Sequence, residues 1–419
     1  LSPLLSHFTP ASGCGIFIGH RRNISNLADC PCKKEGHMRP PVNIVVLLLF
    51  WGLWYLTFSS RALLSPLLPM IEDEFAIGHA FAGGIFFFYS VGATVALLLS
   101  GFLPVRIGYK WSIISCFLIL ISALFSMGYV ESYALFAFLS FFLGVGFGLY
   151  VPCAIPLITT VFNREHWGKA ISFHETAPSF SLLTIPLIAA YGLGSFQWRT
   201  LFVILGGAGL VVICAFWGFS PDPRPKKEQR ARFTNVAKRK EFWLIAAVWA
   251  LAAIDCNGIY NILPLYLVKE RGMDPEFANK LFGVSRIGGL FIVIVVGFVL
   301  DRFRSKGIML VTLFLTGATT MGLAFTKTLW LLAAVLFFQA TFSVLFFPVG
   351  LVAISKLTSL SERSIFTGML MAMTGVIGNG LAPFFLGMVA ELWNFELGIF
   401  FAGVLTLGGC FLVRVLDDH

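Results

Sequence analysis

Long apolar runs alternate with short polar turns along almost the whole chain. Each run is close to or above the roughly 20 residues that an α-helix needs to cross the hydrocarbon core of a bilayer. The pattern therefore predicts an all-α polytopic membrane protein with twelve transmembrane helices. The predicted spans lie near 43–67, 77–101, 111–129, 132–157, 169–191, 199–219, 241–267, 278–300, 307–325, 328–354, 364–390 and 395–415.

A polar segment divides the twelve spans into two groups of six. The stretch SPDPRPKKEQRARFTNVAKRKEFW, residues 220–243, is rich in Pro, Lys and Arg, which is typical of a solvated linker. On either side of it the sequence repeats at an offset of 196 residues, so that Phe81 aligns with Phe277 and Gly92 with Gly288. We therefore predict two pseudo-symmetric six-helix bundles, with an N-terminal bundle at 38–219, a linker at 220–240 and a C-terminal bundle at 241–419.

Composition excludes a soluble protein. The chain is 58% hydrophobic and 12% charged, whereas a soluble domain carries about 25% charged residues.

Lys and Arg concentrate in the loops at 106–110, 164–169, 224–240 and 302–306. By the positive-inside rule these loops and both termini are cytoplasmic, in an integral protein of the cytoplasmic (plasma) membrane. This topology accounts for the net charge of +9 without a nucleic-acid partner, so the expected partners are the lipid bilayer and a small-molecule substrate.

The N-terminal residues show no targeting or metal-binding pattern, and the chain as a whole contains no common catalytic motif. Residues 1–37 contain neither an apolar span nor a cleavable signal pattern, and we expect an extension that is disordered or not native. Its Cys14, Cys30, Cys32 and His37 lack the paired spacing of a zinc site. The chain has no phosphate loop, HExxH or GxSxG sequence. We therefore expect a protein that is not an enzyme and has no metal and no cofactor.

Two loop sequences carry a family resemblance. GFLPVRIGYK at 101–110 and GFVLDRFRSK at 297–306 follow spans two and eight, and they resemble the repeated loop signature of the major facilitator superfamily. The segment GVIGNGLAPFFLG at 375–387 is similar to helix eleven of that family. The resemblance implies alternating access between two bundles, with the loop residues forming a cytoplasmic latch. It assigns cytoplasmic gating to Arg106, Asp301 and Arg302, while Val105 replaces the Asp of the first copy.

Two further family signatures are missing. Ser140 stands where helix four of the family often carries an arginine, and helix five has Pro178 without flanking glycines. Both departures argue against a drug–proton antiporter.

Four charged residues lie inside predicted spans, namely Arg61, Glu175, Asp255 and Arg286. Each costs about 2.5–3.5 kcal/mol at mid-helix on insertion scales, so each is a functional candidate. From the helical rise, Asp255 and Arg286 both lie about 20 Å from the cytoplasmic ends, with Arg61 at about 25 Å and Glu175 at about 9 Å. Because Asp255 and Arg286 are level on consecutive spans, we predict that they form an ion pair.

These charges indicate the transported substrate and the coupling ion. Two buried arginines favour a small organic anion such as a carboxylate or a sugar acid, because guanidinium groups bind carboxylates well. The titratable Asp255 and Glu175 favour proton-coupled symport. The predicted substrate-binding residues share comparable depth or a common helix face with these charges, and they are Arg61, Arg286, Trp54, Asn257, Tyr260, Gln339 and Asn379.

His174 and Glu175 are neighbours in ISFHETAPSF, residues 171–180. They are separated by about 100° around a helix, so we expect them to face different surroundings. Glu175 is the better candidate for the transport pathway, and an interhelical hydrogen bond is predicted for His174.

Other interpretations stay open at this point. Arg61 could extend its guanidinium to the lipid headgroups, the Asp255–Arg286 pair could only hold two helices in register, and Glu175 could be a gate residue. At the level of function, the alternatives are a drug or metabolite exporter of the same superfamily and a non-transporting membrane receptor or sensor. We expect a monomer.

Overall fold

The computed structural model describes residues 40–100, 102–222, 236–292, 302–303, 305–358 and 360–415. Within these ranges the chain forms helices and no strand. Eleven helices there are long and apolar enough to cross a membrane, which confirms eleven of the predicted spans. The second half of the span at 278–300 lies outside the described residues, as do the extension 1–37 with its cysteines, most of the linker, and Asp301.

The transmembrane helices are labelled α1 to α12, and several consist of consecutive segments. They are α1 (Pro40–Ala62 and Leu64–Phe75), α2 (His79–Leu99), α3 (Tyr109–Met127), α4 (Tyr133–Val161), α5 (Trp167–His174 and Thr176–Leu193), α6 (Trp198–Phe219), α7 (Lys240–Ala253, the π-helical Ile254–Gly258, and Ile259–Lys269), α8 (Pro275–Ser285, continuing over 287–292), α9 (Ser305–Phe325), α10 (Leu329–Ser343 and Phe346–Leu357), α11 (Leu360–Gly375, the π-helical Val376–Leu381, and Ala382–Leu392) and α12 (Phe395–Val415). Short helices at Leu103–Ile107 and Arg164–His166 connect α2 to α3 and α4 to α5.

Proline explains three of the breaks. Proline in a helix removes one backbone hydrogen bond and clashes with the carbonyl four residues earlier. The breaks of α1, α5 and α10 all begin near that carbonyl, and the prolines responsible are Pro66, Pro178 and Pro348.

A fourth proline leaves an acceptor that joins the two halves. Pro264 in α7 has no N–H to offer the carbonyl of Tyr260. The Ser65 hydroxyl of α1 donates to that carbonyl at 2.8 Å. A backbone group that would be unsatisfied in lipid is therefore used to dock α1 against α7.

Contacts at the centre of the bundle show that the two halves are related by pseudo-symmetry. Arg61 donates to Asn257 and Lys269 pairs with Asp73, and each pair is separated by 196 residues. This separation equals the offset of the sequence repeat, so equivalent residues of the two halves contact each other. Such contacts occur on a two-fold axis, which here passes between α1 and α7.

Away from the axis, the same contact recurs inside each half. Glu74 at the end of α1 binds Arg199 at the start of α6, at 2.7 Å. Glu270 at the end of α7 accepts from the backbone N–H of Phe395 at the start of α12, at 2.5 Å. Both contacts span 125 residues. The protein is thus built from two pseudo-symmetric six-helix bundles, as predicted.

The two halves are sealed together at one side of the membrane domain. We call the side that carries the linker at 220–240 the linker side, and the opposite one the far side. At the far side Lys269 of α7 contacts Asp73 and lies 3.6 Å from Glu72, both in α1. Glu391 of α11 accepts from the backbone N–H of Ala80 in α2 at 3.0 Å. These contacts close the far side.

The linker side lacks such a seal in the part of the chain that is described. The polar contact between halves nearest to it joins the Thr94 hydroxyl of α2 to the Ala372 carbonyl of α11, at 3.3 Å. Among the described residues, the polar contacts between the two halves therefore lie at the centre of the bundle and at its far side.

Candidate functional site

Arg61 lies at the centre of the contact between the two halves. It stands one residue before the end of the first segment of α1, and its side chain is 4% exposed. Its Nη2 donates to Asn257 Oδ1 at 3.1 Å and to Asn261 Oδ1 at 3.4 Å, both in α7. Both partners are neutral amides, which orient the guanidinium without cancelling its charge. Arg61 does not reach out to solvent, so the headgroup interpretation is not supported.

Arg286 brings a second buried cation to the same region. It lies at the turn between the two parts of α8 and is 6% exposed. Its guanidinium carbon is 4.4 Å from the ring centre of Tyr260 and 5.2 Å from that of Phe282. Arg286 is also close enough to Arg61 for the two positive charges to repel each other. The structure therefore brings together the two arginines that the sequence singled out.

The positive charge of the two arginines is not compensated by a carboxylate. Among the described residues, no Asp or Glu oxygen lies within 4.0 Å of Arg61 or Arg286. The Nε atoms of both arginines are buried and have no hydrogen-bond partner. A buried charge is normally paired, because leaving it unpaired costs several kcal/mol. The arrangement is chemically suited to receive an anion.

Two tyrosine hydroxyls complete the polar lining near Arg61. Tyr89 in α2 and Tyr260 in α7 both lie close enough to interact electrostatically with that guanidinium. Their rings are 1% and 2% exposed, and neither hydroxyl has a hydrogen-bond partner. Each is a free donor for a bound anion. Tyr260 was a predicted site residue, whereas Tyr89 was missed.

The missed residues left a weak signal in the repeat. At the offset of 196, Asn261 aligns with Ser65, and Tyr89 stands one position before Ser90, which aligns with Arg286. Superposing the two halves would therefore have suggested Asn261 as the equivalent of the polar Ser65, but Tyr89 only as the neighbour of an equivalent position. Hydropathy alone could not, because Tyr89 lies in the Phe-rich run of α2.

The predicted ion pair between Asp255 and Arg286 is wrong. Asp255 is fully buried, and neither of its carboxyl oxygens has a hydrogen-bond partner. Its polar neighbours are the hydroxyl groups of Thr320 in α9 and Thr406 in α12. Equal depth along two helices does not fix the direction of the side chains around them. In the π-helical turn Ile254–Gly258, Asp255 points away from the side on which Asn257 meets α1.

The two predicted amide residues occupy different surroundings. Gln339 in α10 donates to the backbone carbonyl of Asp255 at 3.1 Å and to Thr320 at 3.4 Å. Asn379, in the π-helical turn of α11, accepts through its backbone carbonyl from Asn261 at 3.1 Å, and its own side-chain oxygen has no partner. Asn379 is therefore joined to the arginine site through Asn261, whereas Gln339 belongs with Asp255.

Trp54 and His174 form an aromatic cluster on the linker side of the arginine site. The Trp54 ring stacks on His174 with ring centres 5.7 Å apart and on Tyr150 with ring centres 5.2 Å apart. The Nε2 atom of His174 in α5 lies 3.1 Å from the Tyr150 hydroxyl in α4. The interhelical hydrogen bond predicted for His174 is thus confirmed. Glu175 lies at the break of α5 with its side chain 48% exposed.

The predicted gate residues lie on the linker side. Arg106 and Arg302 are both exposed there, while Asp301 lies outside the described residues. The latch that they would form remains a prediction.

Comparisons with known proteins agree with this architecture. The "Uncharacterized transporter YybO" of Bacillus subtilis is 23% identical, covering 92% of this chain and 96% of its own. The "Probable nitrate transporter NarT" of Staphylococcus haemolyticus is 22% identical, covering 64% of this chain and 70% of its own. The fold is similar to the crystal structure of a bacterial homologue of the human lysosomal transporter Spinster in an inward-facing, unoccupied conformation, with a TM-score of 0.75 and 15% identity over 90% of this chain and 97% of that one.

The sequence model of the Major Facilitator Superfamily matches residues 49–327 and 250–419. These matches cover most of the chain and both halves of the bundle. Together with the twelve-span pattern, the repeated loop and the internal pseudo-symmetry, they show that this chain is a membrane transporter of the major facilitator superfamily.

Proposed function

We propose that this transporter carries a small organic anion, a carboxylate or a sugar acid, in symport with protons. The observation that carries the proposal is the pair of buried guanidinium groups, Arg61 and Arg286, without a carboxylate partner among the described residues. The fold provides alternating access around a central site between the two halves. The arginine pair lies at this position.

The charge balance supports an anion over a neutral or cationic substrate. A carboxylate 4 Å from one guanidinium gains about 4 kcal/mol at an effective dielectric constant of 20, and it relieves the repulsion between Arg61 and Arg286. The unpaired hydroxyls of Tyr89 and Tyr260 would donate to its remaining lone pairs. A cation would meet two like charges and would be rejected. The Staphylococcus relative is named a probable nitrate transporter, and nitrate is also a small anion.

The direction in which the site opens follows from the proposed orientation. If the linker side is cytoplasmic, as the Lys and Arg distribution predicts, the present conformation faces inward. Opening to the outside would then require breaking the contacts of Lys269 with Glu72 and Asp73, and of Glu391 with Ala80. In this proposal both termini are cytoplasmic, a monomer is sufficient, and the linker at 220–240 connects two bundles that rock against each other.

We also assign proton coupling to Asp255. The reason is its burial in the structure and no longer the ion pair with Arg286 that the sequence predicted. Its carboxyl group is fully buried, and among the described residues no charged partner contacts it, so we assign proton binding to this carboxyl group in the C-terminal half. Asp255 and Asn257 belong to the same π-helical turn of α7, and such turns occur frequently at functional sites. An ionised Asp255 would need a polar or charged partner, and reaching one would change the conformation of the π-helical turn. The same turn contacts Arg61 through Asn257.

The anion proposal can be tested with purified protein in proteoliposomes. Radiolabelled lactate, succinate and gluconate would be compared with neutral glucose and cationic choline. We expect uptake of one or more of the anions by the unmodified protein, and loss of that uptake in Arg61→Gln and in Arg286→Gln. Arg414→Gln is the matched control, since Arg414 is exposed at the linker-side end of α12.

Three results would overturn this proposal. Normal anion uptake in both buried variants would show that the guanidiniums are not needed for substrate. Transport of glucose or choline with no transport of any anion would place the protein in another substrate class. The alternative of a drug or metabolite exporter would then be favoured. Binding of an anion in detergent without flux would instead indicate a receptor.

A further inference from the structure

A continuous group of aromatic rings extends from Arg61 toward the linker side. The guanidinium carbon of Arg61 is 5.8 Å from the ring centre of Phe58 in α1. Phe58 in turn contacts Phe147 of α4, with ring centres 5.4 Å apart, and Trp54 of α1, with ring centres 5.2 Å apart. The ring centre of Phe147 also lies 5.8 Å from that of Tyr89 and 5.5 Å from that of Trp54. We call Trp54, Phe58, Tyr89 and Phe147 the aromatic wall.

Close packing of α4 against α2 fixes the position of Phe147. A Cβ atom at Gly144 would lie 1.9 Å from the carbonyl oxygen of Tyr89, and one at Gly148 would lie 2.2 Å from that of Ala93. Glycine, which has no Cβ, allows two helix backbones to come this close. Phe147 lies between these two glycines in the chain and is thereby held beside Tyr89. The aromatic wall is thus built on a close helix–helix contact and not on a loop.

Two rings of the aromatic wall keep part of their surface uncovered. Phe58 and Phe147 are partly exposed, whereas Trp54 and Tyr89 are 4% and 1% exposed. Phe58 is also the ring that the guanidinium of Arg61 contacts. A molecule held at this guanidinium is therefore within reach of both partly exposed rings.

The second cation has aromatic surroundings as well. The rings of Tyr260 and Phe282 pack with their centres 4.6 Å apart, and the guanidinium of Arg286 lies over both. The unpartnered hydroxyls of Tyr89 and Tyr260 can donate to one carboxylate. The several hydroxyl groups of a sugar acid would each need a further partner, because a buried hydroxyl without one is costly. Phenylalanine rings do not supply such partners, so the surroundings favour a carboxylate with an apolar organic part.

We propose that the transported anion is an aromatic carboxylate. The proposal rests on the proposed function and names the substrate class of the same site. The carboxylate lies between the guanidinium groups of Arg61 and Arg286 and accepts from the nearby tyrosine hydroxyls, while the ring of the substrate packs against Phe58 and Phe147. Aromatic rings pair edge to face or offset, and such a pair is favourable beyond the apolar area that it buries. The cations thus select the charge of the substrate, and the aromatic wall selects its ring.

The proposal is tested by calorimetric titration of the detergent-purified protein with matched ligands. Benzoate, cyclohexanecarboxylate, lactate and gluconate share the carboxylate, whereas benzamide keeps the ring without the charge. We expect benzoate to bind about three- to tenfold more tightly than cyclohexanecarboxylate, because of the aromatic pairs. It should bind at least about tenfold more tightly than lactate and gluconate, because its ring buries more apolar surface.

The same titrations distinguish failure of this proposal from failure of the proposed function. If cyclohexanecarboxylate, lactate or gluconate bound as tightly as benzoate, the aromatic class would be wrong and the anion proposal would stand. Equal binding of benzamide and benzoate, or binding of no carboxylate at all, would overturn the anion proposal and this one together.

Substitutions in the aromatic wall test which residues select the ring. Phe58→Leu and Phe147→Leu keep an apolar side chain and remove the aromatic pair, so each should weaken benzoate binding about three- to tenfold. Lactate, which has no ring, should bind to both variants as it does to the unmodified protein, and this shows that they are folded. Phe138→Leu is the matched control, because Phe138 is exposed on the same helix α4, and it should leave benzoate binding unchanged. Unchanged benzoate binding in both wall variants would overturn the proposal.

Discussion

Replacing Arg286 with methionine should stabilise the empty transporter while removing its response to an anion. Methionine has a similar length and keeps the contact with Tyr260 and Phe282, but it carries no charge. Exchanging buried ionic groups for apolar residues of similar volume stabilises proteins by about 1–4 kcal/mol. The lost cation–π contacts at 4.4 and 5.2 Å cost about 2 kcal/mol, and a sulfur–aromatic contact restores about 1 kcal/mol. A net gain of about 0–3 kcal/mol is expected.

The gain would appear as a higher melting temperature of the detergent-purified protein. For domains of about 150–250 residues, 1 kcal/mol corresponds to about 2–4 °C, so the melting temperature of Arg286→Met should exceed that of the unmodified protein by up to about 12 °C. An anion present at 100 times its dissociation constant should stabilise the unmodified protein by about 2.7 kcal/mol. It should leave Arg286→Met unchanged. The assay is a thermal-shift series with and without lactate, succinate or gluconate.

Arg199→Met is the matched control, and its effect should have the opposite sign. Arg199 makes two hydrogen bonds to Glu74, at 2.9 and 2.7 Å, and also contacts the Val130 carbonyl. Its replacement leaves these partners unsatisfied and should lower the melting temperature. If Arg286→Met also melts below the unmodified protein, the charge of Arg286 is compensated and the reasoning that makes it a vacant anion site is refuted.

Four further substitutions test the coupling, the far-side seal and the orientation. Asp255→Asn should abolish uptake driven by a pH gradient and keep substrate exchange, and normal gradient-driven uptake would make Asp255 structural. Lys269→Gln should weaken the far-side seal, so an impermeant maleimide added outside should label the buried Cys256 faster. An unchanged rate would show that this cation does not hold the seal. Arg164→Cys should label only from the cytoplasm and Asp274→Cys only from outside, and the reverse pattern would invert the proposed topology.

The sequence by itself determined the class of the protein and its division into halves. Apolar runs of helical length and the repeat at 196 residues are properties of the chain. Within the bilayer every backbone N–H and C=O needs an internal hydrogen-bond partner, and a single apolar run of this length meets that requirement as an α-helix. Arg61 and Arg286 could also be singled out in advance, because a charge inside an apolar run is visible whatever it packs against. The loop sequences at 101–110 and 297–306 were sufficient to indicate the family.

Only the tertiary structure decided which of these charges meet. Hydropathy and helical rise give depth in the membrane, but not the rotation of each helix about its axis. The π-helical turn at Ile254–Gly258 alters that rotation within α7, and it turns Asp255 toward α9 and α12 while Asn257 faces Arg61. Tyr89 could not be predicted for a related reason. A tyrosine in a Phe-rich run looks like a packing residue until the structure gives the neighbour that its hydroxyl group faces.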